Sequence, residues 1–283
     1  MSLLVFGKTG QVARELARAS DDLRCLGREE ADLSDPSACA AAIRTARPDA
    51  VINAAAWTNV DGAEEAEAEA RVVNGTAPGA MARVCAEIGV PFVHISTDYV
   101  FDGSGTAPWE PDDPTGPLGA YGRSKLEGEA AVRASGARHV ILRTSWVVSA
   151  HGGNFVKTML RLGAERDGLR VVADQVGGPT SAADIAAACL RIAGALKDGA
   201  EGGTHHFSGA PDVSWADFAR GIFEIADLDC TVEGIASEDW PTPAARPKNS
   251  RMDCSTLTRD FGIARPDWRK GVKDIVQELG RSI

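Results

Sequence analysis

The chain opens with an apolar run, Leu3 to Phe6, that passes at once into Gly7-Lys-Thr-Gly10-Gln-Val-Ala13 and then into the helical Arg14-Glu-Leu-Ala-Arg. Strand, glycine turn and helix in that order restrict the fold more than any other stretch of this sequence. The glycines let the backbone turn tightly and come close to a pyrophosphate. The helix beyond them offers free N–H groups and the positive end of its dipole. Ala13 supplies a third small position, where helix and sheet must pack closely.

The same rhythm continues. Leu23 to Leu26 reads as a second strand, Pro36 to Ala46 as a helix and Ala50 to Asn53 as a third strand. A long alanine-rich helix runs to about Ile88, and Pro91 to Ile95 is the fourth strand. Alternating strands and helices of this kind make an α/β protein with a doubly wound parallel sheet. In such a unit an acidic residue near the end of the second strand holds the adenine ribose, and an arginine there suits a 2′-phosphate. Gly27-Arg28 therefore favours NADPH, with Arg28 as an ordinary surface residue the plain alternative and Asp32 close enough to complicate the choice. Ala54, Ala55 and Ala56 follow the third strand, where small residues leave room for a ligand or, equally, pack tightly.

The fourth strand ends in Ser96-Thr97-Asp98-Tyr99, placing hydroxyl and carboxyl groups where open α/β sheets bind ligands. A Gly-, Pro- and Asp-rich loop from Asp102 to Gly119 then leads to Tyr121-Gly-Arg-Ser-Lys125, and a fifth strand, His139 to Leu142, follows. One helical turn sets Tyr121 and Lys125 on one face. A phenol holds its proton to about pH 10 unless a cation stabilises the phenolate, and Lys125 stands where that cation is needed. A Tyr-xxx-Lys pair also arises by chance on solvated helices. Against that, the sequence has only two tyrosines, Tyr99 and Tyr121, and both fall in these segments.

Composition narrows the class. With 283 residues, 44% hydrophobic and 25% charged, the chain buries a sizeable core as one large domain or one plus a smaller lobe. No apolar run is long enough for a bilayer and no basic leader precedes the first strand, so no membrane partner and a cytoplasmic location are expected. A net charge of −10 argues against nucleic acid. The six cysteines form no Cys-x-x-Cys pair and read as reduced core thiols. Glu64, Glu65, Glu67 and Glu69 read as the solvated face of a helix. His205 and His206 point to opposite faces if strand-like, which favours packing over a shared metal. Asn154 to Arg166 is helical, and Gly177-Gly-Pro179-Thr180 is a loop before another helix. In the proline-rich stretch from Trp240 to Arg251, the cations Arg246, Lys248 and Arg251 either meet a diphosphate or are ordinary surface charges.

Taken in order, GKTGQV, NAAAWTNVD, STDYVFDG, YGRSK, RTSWV, NFVKTML, DQVGGPT and RPKNSRMD resemble the extended short-chain dehydrogenase/reductases, and closely the dTDP-4-dehydrorhamnose reductases. The resemblance covers nearly the whole chain. It implies an NAD(P)-binding Rossmann domain over residues 1–150, to which a segment near 170–205 returns, and a mainly substrate-binding lobe over 151–283. It implies Thr97, Tyr121 and Lys125 as catalytic residues. It places the cofactor, NADPH with NADH admissible, against Gly7, Gly10, Gln11, Val12, Asp32, Leu33 and Ala54 to Thr58. Thr97, Asp98, Tyr121, Trp146 and Asn154 would meet a dTDP-sugar, and Arg246 and Arg251 its diphosphate. The implied reaction is reduction of the C4 ketone of dTDP-4-dehydro-β-L-rhamnose, with another 4-keto-deoxysugar or a catalytically silent regulatory subunit as rivals; a homodimer is compatible. The chain departs from the family at Ala13 and at Trp57, where histidine is common. Relatives that bind metal between subunits use acidic residues; Glu15 suits one such position but Ala183 stands at another, so no metal is expected. Dehydratases of the same kind carry Asp-Glu after the threonine, whereas here Tyr99 follows Asp98, which favours simple carbonyl reduction.

Overall fold

Short Val-, Ile- and Leu-rich runs without polar alternation are strands covered on both faces, the signature of a parallel sheet. The computed structural model, which describes residues 1–280, builds that sheet from six strands. They are β1 (Leu3–Phe6), β2 (Leu23–Leu26), β3 (Ala50–Asn53), β4 (Phe92–Thr97), β5 (His139–Thr144) and β6 (Gly203–His206). Their order is β2-β1-β3-β4-β5-β6 and every pairing is parallel. The order reverses between β1 and β3, the switch point at which open sheets bind ligands outside their carboxyl ends. Register aligns those ends: Phe6 lies opposite Leu26 and Asn53, and Thr97 opposite Thr144.

Alternate residues of each strand face opposite layers. Leu3, Val5, Ile52 and Val93 pack under helices Gln11–Ala19 and Ala182–Lys197, through Leu16, Ile185 and Ile192. Leu4, Phe6, Phe92 and Ile141 pack on the other side, against Ile43, Met81 and Val132 of helices Pro36–Ala46, Ala77–Ile88 and Ala120–Arg133. A second core, including Val156, Phe218, Ile222, Trp268 and Val272, belongs to helices Phe155–Glu165, Trp215–Ala226 and Trp268–Gly280. The strand pair Gly168–Val172 and Thr231–Ile235 contributes to the same core through Val171 and Val232. His205 meets Thr256 and His206 the Trp109 carbonyl, on opposite faces of β6 as alternation requires.

Two expectations are corrected. The long helix ending at Ile88 is broken into Val60–Glu65, Glu67–Arg71, a π-turn Val72–Thr76 and Ala77–Ile88. Asn74 explains the break. Inside the π-turn its side chain is buried and bonded outside its own helix, accepting from the Trp57 N–H at 2.8 Å and donating to the Trp57 carbonyl and to Ser124 Oγ. Gly128 of the neighbouring helix lets this turn approach, since a Cβ there would lie 2.0 Å from the Asn74 carbonyl. The acidic run is likewise more than a solvated face. Glu64 Oε1 accepts from the Ala120 N–H at 2.8 Å, capping a helix whose own N-cap, Gly119, has no side chain to do so. Glu67 holds Arg123 through two bonds of 2.9 Å.

Candidate active site

A cleft of about 680 Å³ follows the carboxyl ends of β1 to β5. At its floor Gly7 adopts φ 107°, and a Cβ there would come within 2.9 Å of the Ala54 carbonyl. Only a bare backbone fits where the β1 turn presses on the end of β3. Gly10 begins the Gln11–Ala19 helix without a side-chain cap, so its first N–H groups are left for a ligand. This is a cradle suited to a dinucleotide pyrophosphate. Gln11, Val12, Ala54, Ala55, Ala56 and Thr58 line it. Arg28, Asp32 and Leu33 form its rim beyond β2, with the Arg28 side chain 87% exposed and 3.9 Å from Asp32.

The middle of the cleft holds Thr97, Asp98, Tyr121 and Lys125. Thr97 ends β4 and its hydroxyl meets the Tyr121 phenol. Burial pushes that phenol up to about 12, with the Thr97 bond pulling the other way and Asp98 adding to the rise. Lys125 is 2% exposed and donates from Nζ to the Ile95 carbonyl at 2.7 Å. Helical spacing alone suggests that Lys125 depresses Tyr121. In the structure its long stem instead carries the ammonium down to β4, and burial and Thr97 set the phenol. Burial also brings Lys125 down to about 8, opposed by Glu129. Asp98, raised to about 6 by burial, keeps Oδ1 within 3.2 Å of the Thr97 hydroxyl. Asp98 and Thr144 both line the cleft, and Ser250 also bonds the Asp98 carboxyl, pulling against the rise. Tyr99 packs edge-on against Tyr121 at 5.6 Å.

The far wall is aromatic. Trp146 follows β5 at φ 49°, a left-handed conformation that a bulky residue rarely takes, and its indole stacks on Trp215 at 3.6 Å. Phe155 lies 4.6 Å from Trp215. Trp215 and Phe155 line the cleft although nothing in their local sequence marks them; Ser214 signals the start of a helix by capping Asp217 N–H, but not where Trp215 points. Asn154 caps the Phe155–Glu165 helix and donates to Gln11 Oε1 at 3.0 Å, tying that helix to the one after the glycine turn.

Arg246 and Arg251 do not line the cleft. Arg246 makes a two-pronged pair with Asp61, Arg251 bonds Asn249 Oδ1 two residues away and Lys248 meets Asp174 at 3.0 Å, so each of these cations is engaged by a partner within the chain. Glu15 is engaged by His151 and Arg18. Five of the cysteines are buried free thiols and Cys25 is half-buried.

Fold and cleft define a class, the doubly wound dinucleotide-binding proteins with the Thr, Tyr and Lys constellation of short-chain reductases. A family model described as "RmlD substrate binding domain" matches residues 1–281. The dTDP-4-dehydrorhamnose reductase of Sinorhizobium fredii is 46% identical over 99% of this chain and 98% of its own length; that of Escherichia coli strain K12 is 41% identical over the same shares. The crystal structure of a dTDP-4-dehydrorhamnose reductase from Clostridium acetobutylicum superposes with a TM-score of 0.93 at 36% identity, covering 99% of this chain and all of that one. The Bacillus anthracis enzyme in complex with NADP gives 0.92 at 32% identity, covering 98% of this chain and 100% of its own. The chain belongs to the RmlD substrate-binding-domain family, that of the dTDP-4-dehydrorhamnose reductases. No helix among the described residues is long and apolar enough to cross a membrane.

Proposed function

We propose that the protein reduces the C4 ketone of dTDP-4-dehydro-β-L-rhamnose to dTDP-β-L-rhamnose with NADPH. The observation that carries the reading is the convergence of Thr97, Tyr121 and Lys125 in one cleft with a glycine cradle at its end, in a chain 46% identical to a reductase of that name. Bound NADPH supplies the hydride. Gly7, Gly10, Gln11 and Val12 hold its pyrophosphate, Ala54 to Thr58 its flank, and Arg28 with Asp32 and Leu33 its adenosine end, where the exposed guanidinium suits a 2′-phosphate. Lys125 steadies its ribose. Residues 1–150 with the segment near 170–205 act as the cofactor half, and the rest of 151–283 mainly as the sugar half.

The chemistry of the chain's own groups is acid catalysis. A phenol raised to about 12 stays protonated through the neutral range, as a proton donor must. Tyr121 gives its proton to the oxygen of the ketone as charge develops there, and the Thr97 hydroxyl donates to the same oxygen. Asp98 and Asn154 meet the sugar's hydroxyls and Trp146 its apolar face. Buried free thiols suit a reducing compartment, so we assign the protein to the cytoplasm, with a homodimer as the assembly to test by sedimentation.

The test mixes purified protein with NADPH and dTDP-4-dehydro-L-rhamnose, follows nicotinamide absorbance and identifies the sugar formed. Tyr121→Phe should lower kcat by roughly 10²–10⁴-fold, the usual worth of a positioned acid, while NADPH affinity holds. Near-normal turnover in that variant, or no oxidation by wild-type protein that binds NADPH, overturns the reading.

A further inference from the structure

His94 stands in the middle of β4 with its ring wholly buried, stacked over Phe92 at 6.1 Å. Asn53 lies opposite it at the end of β3. The Asn53 amide is oriented by the backbone, because the Ala55 N–H donates to its Oδ1 at 3.2 Å. Its NH₂ group is thereby turned to His94 Nδ1 at 3.1 Å. An NH₂ only donates, so Nδ1 presents a lone pair. Burial holds the imidazole neutral. Its single proton is therefore on Nε2, and Nε2 lies 3.5 Å from Lys125 Nζ.

An N–H that faces an ammonium is a donor set against a donor. Facing a neutral amine, the same N–H meets a lone pair, while the amine still donates to the Ile95 carbonyl. We propose that His94, its tautomer fixed by Asn53, is a positioning residue for Lys125 that favours the amine over the ammonium and so lowers the proton affinity of the lysine. The other groups around Lys125 are accounted for. Glu129, one turn along the same helix, favours the ammonium, but Arg143 of β5 and Arg133 take its oxygens and Ser96 Oγ donates to it at 2.6 Å. Tyr121 on the same helix, and Thr97 and Asp98 at the end of β4, lie toward the cleft. Burial of Lys125 acts in the same direction as His94, bringing it to about 8.

The first test is spectroscopic and independent of any sugar. In ¹⁵N-histidine-labelled protein, with the His94 signals assigned by their loss in His94→Gln, long-range proton correlations should show Nε2 protonated and Nδ1 bare at neutral pH. An Nδ1–H tautomer or an imidazolium overturns the proposal. The second test rests on the reductase reading. Asn53→Asp places an acceptor against Nδ1, moves the proton there and turns an Nε2 lone pair to Lys125. Because the ammonium is the form that steadies the ribose, the alkaline limb of the kcat profile should then rise by about one pH unit, a tenfold change in proton affinity. An unchanged limb in a variant that folds and binds NADPH overturns the proposal; a variant that does not fold leaves the tautomer measurement to decide. Absence of turnover with the keto-sugar would sink the reductase reading and leave the tautomer result standing.

Discussion

The most constrained side chain in the cleft is Trp146, held in a left-handed backbone conformation and stacked flat on Trp215. Strain of that kind, worth about 1–3 kcal/mol, persists only where the surroundings impose it. Gly177 is part of that imposition, since a Cβ there would press within 3.1 Å of the indole. Trp215→Leu should therefore free Trp146 and raise the KM for the sugar by roughly tenfold, in line with the loss of an aromatic pair, with Trp215→Phe restoring most of it and NADPH affinity unmoved. An unchanged KM in the leucine variant would show that the stack serves folding alone. That Tyr121, Lys125 and Thr97 share one cleft was legible in the sequence because it rests on one helix and one strand end, whereas the setting of the phenol by burial and Thr97 rather than by Lys125 was not. Trp215 was not legible, since tertiary packing alone brings it to Trp146. Arg246 misled for the complementary reason: a cation in a loop reads as free until the fold supplies Asp61, 185 residues away.

At the scale of elements, the helix that carries Tyr121 and Lys125 is anchored from outside. Glu64 caps its first turn and Glu67 grips Arg123, while Asn74 bonds Ser124 between the two functional residues. Glu64→Ala should cost about 1 kcal/mol, the worth of a cap, lowering Tm by roughly 2 °C and kcat along with it as the first turn frays at Tyr121. A fall in Tm with kcat intact would mean that the cap stabilises the helix without placing the phenol. The strands were legible because their apolar runs and glycine turns are local signals. The break at Val72–Thr76 was not, because Asn74 finds its partners in Trp57 and Ser124, and a lone asparagine in an alanine-rich helix gives no hint of either.

Across the whole molecule, Glu129 is a group on which several elements meet. Wholly buried, it accepts from Ser96 of β4, Arg143 of β5 and Arg133, which itself reaches Thr204 of β6, while Arg143 extends to the Pro111 carbonyl. These partners hold its carboxyl below the ordinary range in spite of burial, which by itself would raise it. Glu129→Gln strands the Arg143 guanidinium and should cost about 3–5 kcal/mol, a large share of the 5–15 kcal/mol that holds a folded protein together. A denaturant midpoint close to wild type would show that Arg143 finds another anion or water. The pairing of β6 with β5 also sets an order in time. Arg143 and His206, neighbours across that pairing, are 63 residues apart, which the ribosome takes roughly 3–12 s to add. Through that interval β5 waits as an open edge, and the sheet cannot add its sixth strand until the intervening helix Phe155–Glu165, strand Gly168–Val172 and helix Ala182–Lys197 have been synthesised. The sheet is thus completed only after elements of the second core have already emerged, and a chain interrupted before β6 offers its neighbours a bare strand to aggregate on.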